Sequence, residues 1–171
     1  VGLNVTTGDI LGDVGVGGNI DVDGTTNLDV VDVDGAANFA ADVTFANGAD
    51  IITASAGTSN FRAGVNAGNS IASGGNFNVA VGDEAGTAIS TGDNNTLLGY
   101  AAGDAINTAS YNVAVGTSAL SANTVGAHNT SIGSDNMFTN ILGSKTTAIG
   151  SGALYTQNYG TATDSFNVAV G

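Results

Sequence analysis

SYNVAVGTSAL, Ser110–Leu120, contains the pentapeptide NVAVG, which occurs again at Asn78–Gly82 and at Asn167–Gly171. Related segments also end in glycine, and we call these glycines the anchor glycines. They are spaced 17 residues apart over most of the chain, with one interval of 18 and one of 21: Gly64, Gly82, Gly99, Gly116, Gly133, Gly150 and Gly171. A fixed period of this length is typical of a solenoid, in which each repeat forms one turn, or rung, of a coil.

The residues that precede the anchor glycines alternate between branched and small side chains. In the six full copies the residue three before the anchor is Val or Thr, and the residue two before it is nearly always small. A period of two with β-branched residues predicts one short β-strand in each rung. The residue immediately before the anchor is always large and aliphatic, and we expect this column to form the core: Val81, Leu98, Val115, Ile132, Ile149 and Val170.

An asparagine lies four residues before each of these anchors, except that Thr146 takes its place in one copy. Asparagines in register on successive rungs can bond to one another through their amides. The repeat therefore predicts a ladder of asparagine side chains along the coil.

A second glycine follows most anchors ten residues later. Because glycine suits tight corners, two marked corners per repeat predict two short strands in each rung. All variation in repeat length falls between this second glycine and the next anchor. We expect the extra residues of the last repeat, the segment TATDS at Thr161–Ser165, to form a loop on one side of the stack.

The first 50 residues differ from the rest, since they carry nine of the fifteen acidic residues. An 11-residue repeat relates DVDGTTNLDVV, Asp21–Val31, to DVDGAANFAAD, Asp32–Asp42. Two such repeats are too short for a core of their own. We therefore predict a thin acidic β shaft over 1–50, a junction over 51–59, and a parallel β-roll or β-solenoid over 60–171.

Composition argues against most kinds of chemistry. The net charge is −13 with only two Lys or Arg, which excludes a basic patch for nucleic acid or anionic lipid. No run is apolar enough to insert into a membrane. There is no cysteine, and His128 is the single histidine, so triads and zinc sites have no candidates. We predict that the chain is not an enzyme and binds no cofactor or metal.

One acidic segment has the spacing of a calcium loop, at Asp21, Asp23, Thr25, Asn27, Asp29 and Asp32. Thr26 occupies the position that requires glycine, and no helices are predicted beside the segment. A solvated acidic face is the simpler interpretation, although the sequence leaves calcium binding by the shaft open.

The residue five before the anchor is large, and its chemistry changes at every rung: Phe77, Asn94, Tyr111, His128, Lys145 and Phe166. One interpretation is a stripe that contacts a receptor. The other is packing at a strand edge or at a seam between subunits.

The segment NVAVGTSALSANTVGAHNTSIG resembles the "NTAVG-x-x-AL-x-x-NTTG-x-x-NTAIG" repeats of tailed-bacteriophage tail and neck fibres, which often precede an endosialidase-type intramolecular chaperone. GGNIDVDGTTNLDVVDVDGAANF is similar to shaft repeats of such fibres, especially those of marine cyanophages. The rungs are also similar to the β-roll heads of trimeric autotransporter adhesins, a family of bacterial surface proteins.

The resemblance implies an all-β trimeric fibre, with parallel subunits, that holds or forms a host-attachment appendage of a virion. The expected partners are two further copies of the chain, other virion proteins, and a host cell-surface glycan or protein. A trimeric adhesin at the bacterial surface is the alternative. Because the last NVAVG is the end of the chain and no Met begins it, we expect a piece of a longer fibre.

Overall fold

The computed structural model describes residues 55–171, together with Thr53 and the isolated residues Val33, Ala37 and Ala40. The chain divides into two compact units, Val1–Phe45 and Ala46–Gly171. The predicted shaft over 1–50 and its calcium-like spacing lie outside the described residues, apart from those three isolated positions.

The described part of the second unit is a parallel β-solenoid of about six turns with rungs of about 17 residues, and it contains no helix. Its nine strands are β1 (Phe61–Ala63), β2 (Val79–Val81), β3 (Thr96–Leu98), β4 (Val113–Val115), β5 (Thr130–Ile132), β6 (Gly143–Ser144), β7 (Thr147–Ile149), β8 (Thr163–Asp164) and β9 (Val168–Val170). Seven of them form one parallel sheet in the order β1-β2-β3-β4-β5-β7-β9. The predicted solenoid and the strand before each anchor glycine are confirmed.

The second strand predicted in each rung is wrong for the segment that follows the anchor glycine. Within residues 55–171 this segment forms turns, and the short second sheet pairs β6 with β8 elsewhere in the rung. Positive φ angles at Ser118 (53°) and Leu120 (56°) show why, since left-handed backbone cannot continue an extended strand. The turns nevertheless stack, because the N–H of Gly103 donates to the carbonyl of Ala119 at 2.9 Å.

The extra residues of the last repeat do fall in one place, but slightly earlier than predicted. The N–H of Thr139 still reaches the carbonyl of Tyr155 at 3.2 Å, whereas β6 already pairs Gly143 with Thr163. The insertion is therefore accommodated between Tyr155 and Thr163. Thr161 and Ala162 belong to this exposed loop, whereas Asp164 lies in strand β8.

The predicted core column is wrong, because the strands bury the opposite face. Leu98 and Ile132 are 47% and 38% exposed, while the residue before each of them, Leu97 or Ser131, is fully buried. The inner column consists of Ala80, Leu97, Ala114, Ser131 and Ala148. The asparagine two residues earlier also points inward, and the period of two leaves the large aliphatic residue on the outer face.

Candidate functional site

The asparagine ladder lies inside the roll and fixes the spacing of the rungs. Asn95 shows the pattern: its N–H and its Nδ2 both donate to Oδ1 of Asn78, at 2.9 and 3.0 Å. Its Nδ2 also donates to the carbonyl of Ala109 at 2.9 Å. The backbone N–H groups of Asn112, Asn129 and Thr146 continue the series at 2.9–3.0 Å. The predicted ladder is confirmed from Asn60 to Thr146.

The residue before each ladder asparagine forms the corner at which the chain enters the strand. All six predicted stripe residues have positive φ angles, between 51° and 62°: Phe77, Asn94, Tyr111, His128, Lys145 and Phe166. We call this set the corner column. Backbone bonds hold it in register, as between the N–H of Tyr111 and the carbonyl of Asp93 at 2.9 Å. Six exposed side chains therefore line one edge of the sheet, and the ladder and these backbone bonds hold the first five of them in register.

Two neighbouring pairs in the corner column contact each other directly. The rings of Tyr111 and His128 stack with centroids 4.8 Å apart and planes 3° from parallel. The Lys145 ammonium lies 5.0 Å from the centroid of Phe166 and 2.6 Å from a carboxylate oxygen of Asp164. The sequence predicted the members of this column from their spacing, but neither its left-handed backbone nor these contacts.

The outer face of the seven-stranded sheet is apolar and carries no charge among the described residues. Two side chains of each strand point outward, and each is exposed or half-buried. They are Phe61, Ala63, Val79, Val81, Thr96, Leu98, Val113, Val115, Thr130, Ile132, Thr147, Ile149, Val168 and Val170. We call this set the outer sheet face. An exposed apolar surface of this kind is typical of an interaction site.

The acidic residues of the turns show one perturbed group. Burial raises the pKa of the Asp104 carboxyl above its ordinary value, and repulsion from Glu84 adds to the rise. Backbone N–H groups of Asp104 and Ala105 oppose it. One carboxylate oxygen of Asp104 is buried without a hydrogen-bond partner. In the described part of the chain, no three His, Cys, Asp or Glu side chains group closely enough to hold a metal ion.

A second stack of aromatic rings, Phe138 on Tyr155, was not predicted from the sequence. Phe138 and Tyr155 lie five residues after their anchor glycines, with ring centroids 5.1 Å apart and planes 4° from parallel. Their spacing of 17 residues was the available signal. Only two rungs carry rings at this position, however, so the column does not stand out in the sequence.

Comparisons with protein-family models, with curated proteins and with solved structures find no match for this chain. Among the described residues, no helix has the length and apolar character that crossing a membrane requires.

Proposed function

We propose that the chain is a structural segment of an extracellular phage fibre, which holds or forms a host-attachment appendage of the virion. The resemblance of the 17-residue repeats to phage-fibre repeats supports this proposal. The solenoid is also suited to a fibre. Parallel rungs joined by a buried amide ladder make a stack whose length grows with the number of repeats.

The outer sheet face is the observation that carries the proposal. Its fourteen outward positions hold no charged side chain among the described residues, although the whole chain has a net charge of −13. Copies of so acidic a chain repel one another over most of their surface. The uncharged apolar sheet face is the surface on which two copies can approach most closely.

We assign this face to contacts between three parallel copies. A rotation axis along the stack keeps each rung level with the equivalent rung of its neighbours, so the apolar columns meet over their whole length. A closed ring of copies covers the face completely, whereas an open arrangement leaves one face in water. The resemblance to trimeric fibres sets the number of copies at three, and the proposed fibre is a parallel homotrimer that joins other virion proteins at its ends.

Mass measurement of the full-length protein by light scattering tests this assembly. We expect a trimer for the native chain and dissociation for Ile132→Asp, which puts a carboxylate on the outer sheet face. Ile141→Asp is the matched control, because Ile141 has the same 38% exposure but lies in a turn outside the sheet. A stably folded monomer of the native chain, or equal behaviour of the two variants, would refute the assignment.

A bacterial trimeric surface adhesin is the alternative, since the rungs are similar to those heads too. Antibodies against the chain distinguish the two in electron micrographs. Labelled appendages on virions support the phage fibre, whereas labelling of uninfected bacterial surfaces supports the adhesin. The full-length reading frame gives an independent answer, through a virion attachment domain or chaperone in one case and an outer-membrane anchor in the other.

A further inference from the structure

Besides the anchor glycine, each rung of the solenoid has three positions with a positive φ angle, and their side chains differ. Two residues after the anchor the chain uses small or polar residues such as Ala101 and Ser118. Four residues after the anchor it uses glycine in some rungs and larger residues in others, of which Leu120 and Met137 are fully buried. The corner column alone among the three combines large side chains with exposure.

This combination has no explanation in the fold. Left-handed φ is costly for large side chains, and glycine or asparagine occupies it more easily. At Leu120 and Met137, burial in the core offsets that cost. Phe77, Tyr111 and Phe166 gain little burial, since they are 58%, 54% and 70% exposed. Such residues indicate a requirement other than folding.

Contacts within the corner column do not supply that requirement. Tyr111 stacks on His128 and Lys145 covers Phe166, but Phe77 contacts no other ring within residues 55–171. Asn94 separates Phe77 from Tyr111, so the aromatic residues do not form a continuous stack. The column is instead an exposed series of rings interrupted by hydrogen-bonding groups.

We propose that the corner column binds an extended, uncharged oligosaccharide. The Tyr111 hydroxyl, the Asn94 amide and the His128 imidazole offer both donors and acceptors to sugar hydroxyls. The rings beside them offer apolar contact to the C–H groups of a sugar. Their backbone is fixed by the ladder, so a ligand along the column meets groups that are already arranged.

Charge sets the class of the oligosaccharide. The chain carries fifteen acidic residues against two Lys or Arg, so its field repels sialylated, uronic or phosphorylated glycans. Lys145, the cation of the column, is already paired with Asp164 at 2.6 Å. A neutral glycan avoids this repulsion. The inference rests on the proposed role in attachment and names the chemical class of the host partner.

The test is binding of the full-length protein to immobilised neutral oligosaccharides of glucose, galactose, mannose and N-acetylglucosamine, beside their sialylated and uronic counterparts. We expect retention on neutral glycans only. The double variant Phe77→Asn/Tyr111→Asn should weaken binding at least tenfold. Its thermal unfolding should change little, because asparagine accepts the left-handed backbone and Asn94 already occupies it.

Tyr155→Asn is the matched control, since Tyr155 is 45% exposed and stacks on Phe138 in a different column. This variant should bind as the native chain does. Lack of binding to any neutral glycan, binding to acidic glycans alone, or equal binding by the corner-column variant would overturn the inference. The trimer measurement is independent, so a trimer that binds no neutral glycan refutes the ligand while leaving the fibre proposal intact.

Discussion

The inner and outer faces of the same seven-stranded sheet show how this chain divides its side chains. The inner face carries small residues such as Ala80 and Ala114, and both are fully buried. The outer face carries larger ones such as Leu98 and Ile149, and these are 47% and 42% exposed. Hydrophobicity is therefore a poor guide to the interior of a thin roll. Small residues on the inner face leave room for large buried residues of the turns, such as Leu120 and Met137, while the larger apolar groups of most strands lie outside.

Large side chains fill the interior of the roll either from the strand side or from the turn side. Leu97 is the one large aliphatic residue of the inner column, and its methyl groups lie within 2.8 Å of where a Cβ on Gly86 or Gly103 would be. Where the inner residue is Ala114 or Ser131, the position of those glycines holds a large buried residue, Leu120 or Met137. Ala80 is instead accompanied by Gly86, and Leu97 of the next rung fills that space. A large residue from one side or the other therefore fills the interior, which maintains close packing.

We expect the largest effect when a charge is placed on the buried inner face of the sheet. Ala114→Asp places an unpaired carboxylate in the buried inner column, and we expect it to lower the free energy of unfolding by about 3–5 kcal/mol or more. Chemical denaturation and limited proteolysis measure the loss. Ala162→Asp makes the same replacement in the exposed loop of the last repeat and should have almost no effect. Equal tolerance of both changes would contradict the solenoid.

A second variant tests whether a large residue on the turn side can replace a large residue on the strand side. Leu97→Ala leaves a cavity beside Gly103, and we expect a loss of about 2–5 kcal/mol in denaturant titration. Adding Gly103→Leu reproduces the pair formed by Ala114 and Leu120 and should restore a small part of the stability, because Cδ1 of Ile106 lies 2.7 Å from the new Cβ and has to move. The new leucine has a precedent for its backbone, because φ is 58° at Gly103 and 56° at Leu120. Gly103→Leu alone should destabilise, and rescue that fails in the double variant would argue against compensation.

The periodic features of the fold were predictable from sequence, because each rung repeats them. The strand before the anchor, the asparagine ladder and the members of the corner column all followed from spacing. The orientation of the sheet did not follow, since alternation marks two faces without saying which one is buried. The turns after the anchors were also missed, because Leu120 and Met137 are not residues that signal left-handed backbone.

The next effect concerns the inner ladder. Asn95→Thr copies the natural exception at Thr146 and removes the oxygen that accepts from the N–H of Asn112 at 3.0 Å. Leaving that buried donor without a partner should cost about 1–3 kcal/mol in thermal or chemical unfolding. Asn158→Thr, in the exposed loop of the last repeat, is the control and should be neutral. A neutral Asn95→Thr would mean that the ladder does not stabilise the stack.

The smallest effect depends on pH and involves Asp104, at the turn side of the rung. Because its pKa is raised in the folded state, the folded chain binds this proton more tightly than the unfolded chain. The contribution of Asp104 to stability is therefore greatest below the ordinary aspartate pKa, and it falls as pH rises through the folded value. At neutral pH the ionised, partly buried carboxylate destabilises the fold.

Asp104→Asn removes that charge but keeps an oxygen for the N–H groups of Asp104 and Ala105. We expect it to stabilise the protein at pH 7 by less than about 1 kcal/mol, because solvent screens a half-exposed group. The gain should disappear toward about pH 3, where aspartate is protonated in both states. Glu84→Gln removes the repulsion on Asp104 and should recover a smaller part of the same gain. Unfolding curves across this range decide the matter, since a gain that does not vary with pH would have to come from packing rather than from the charge.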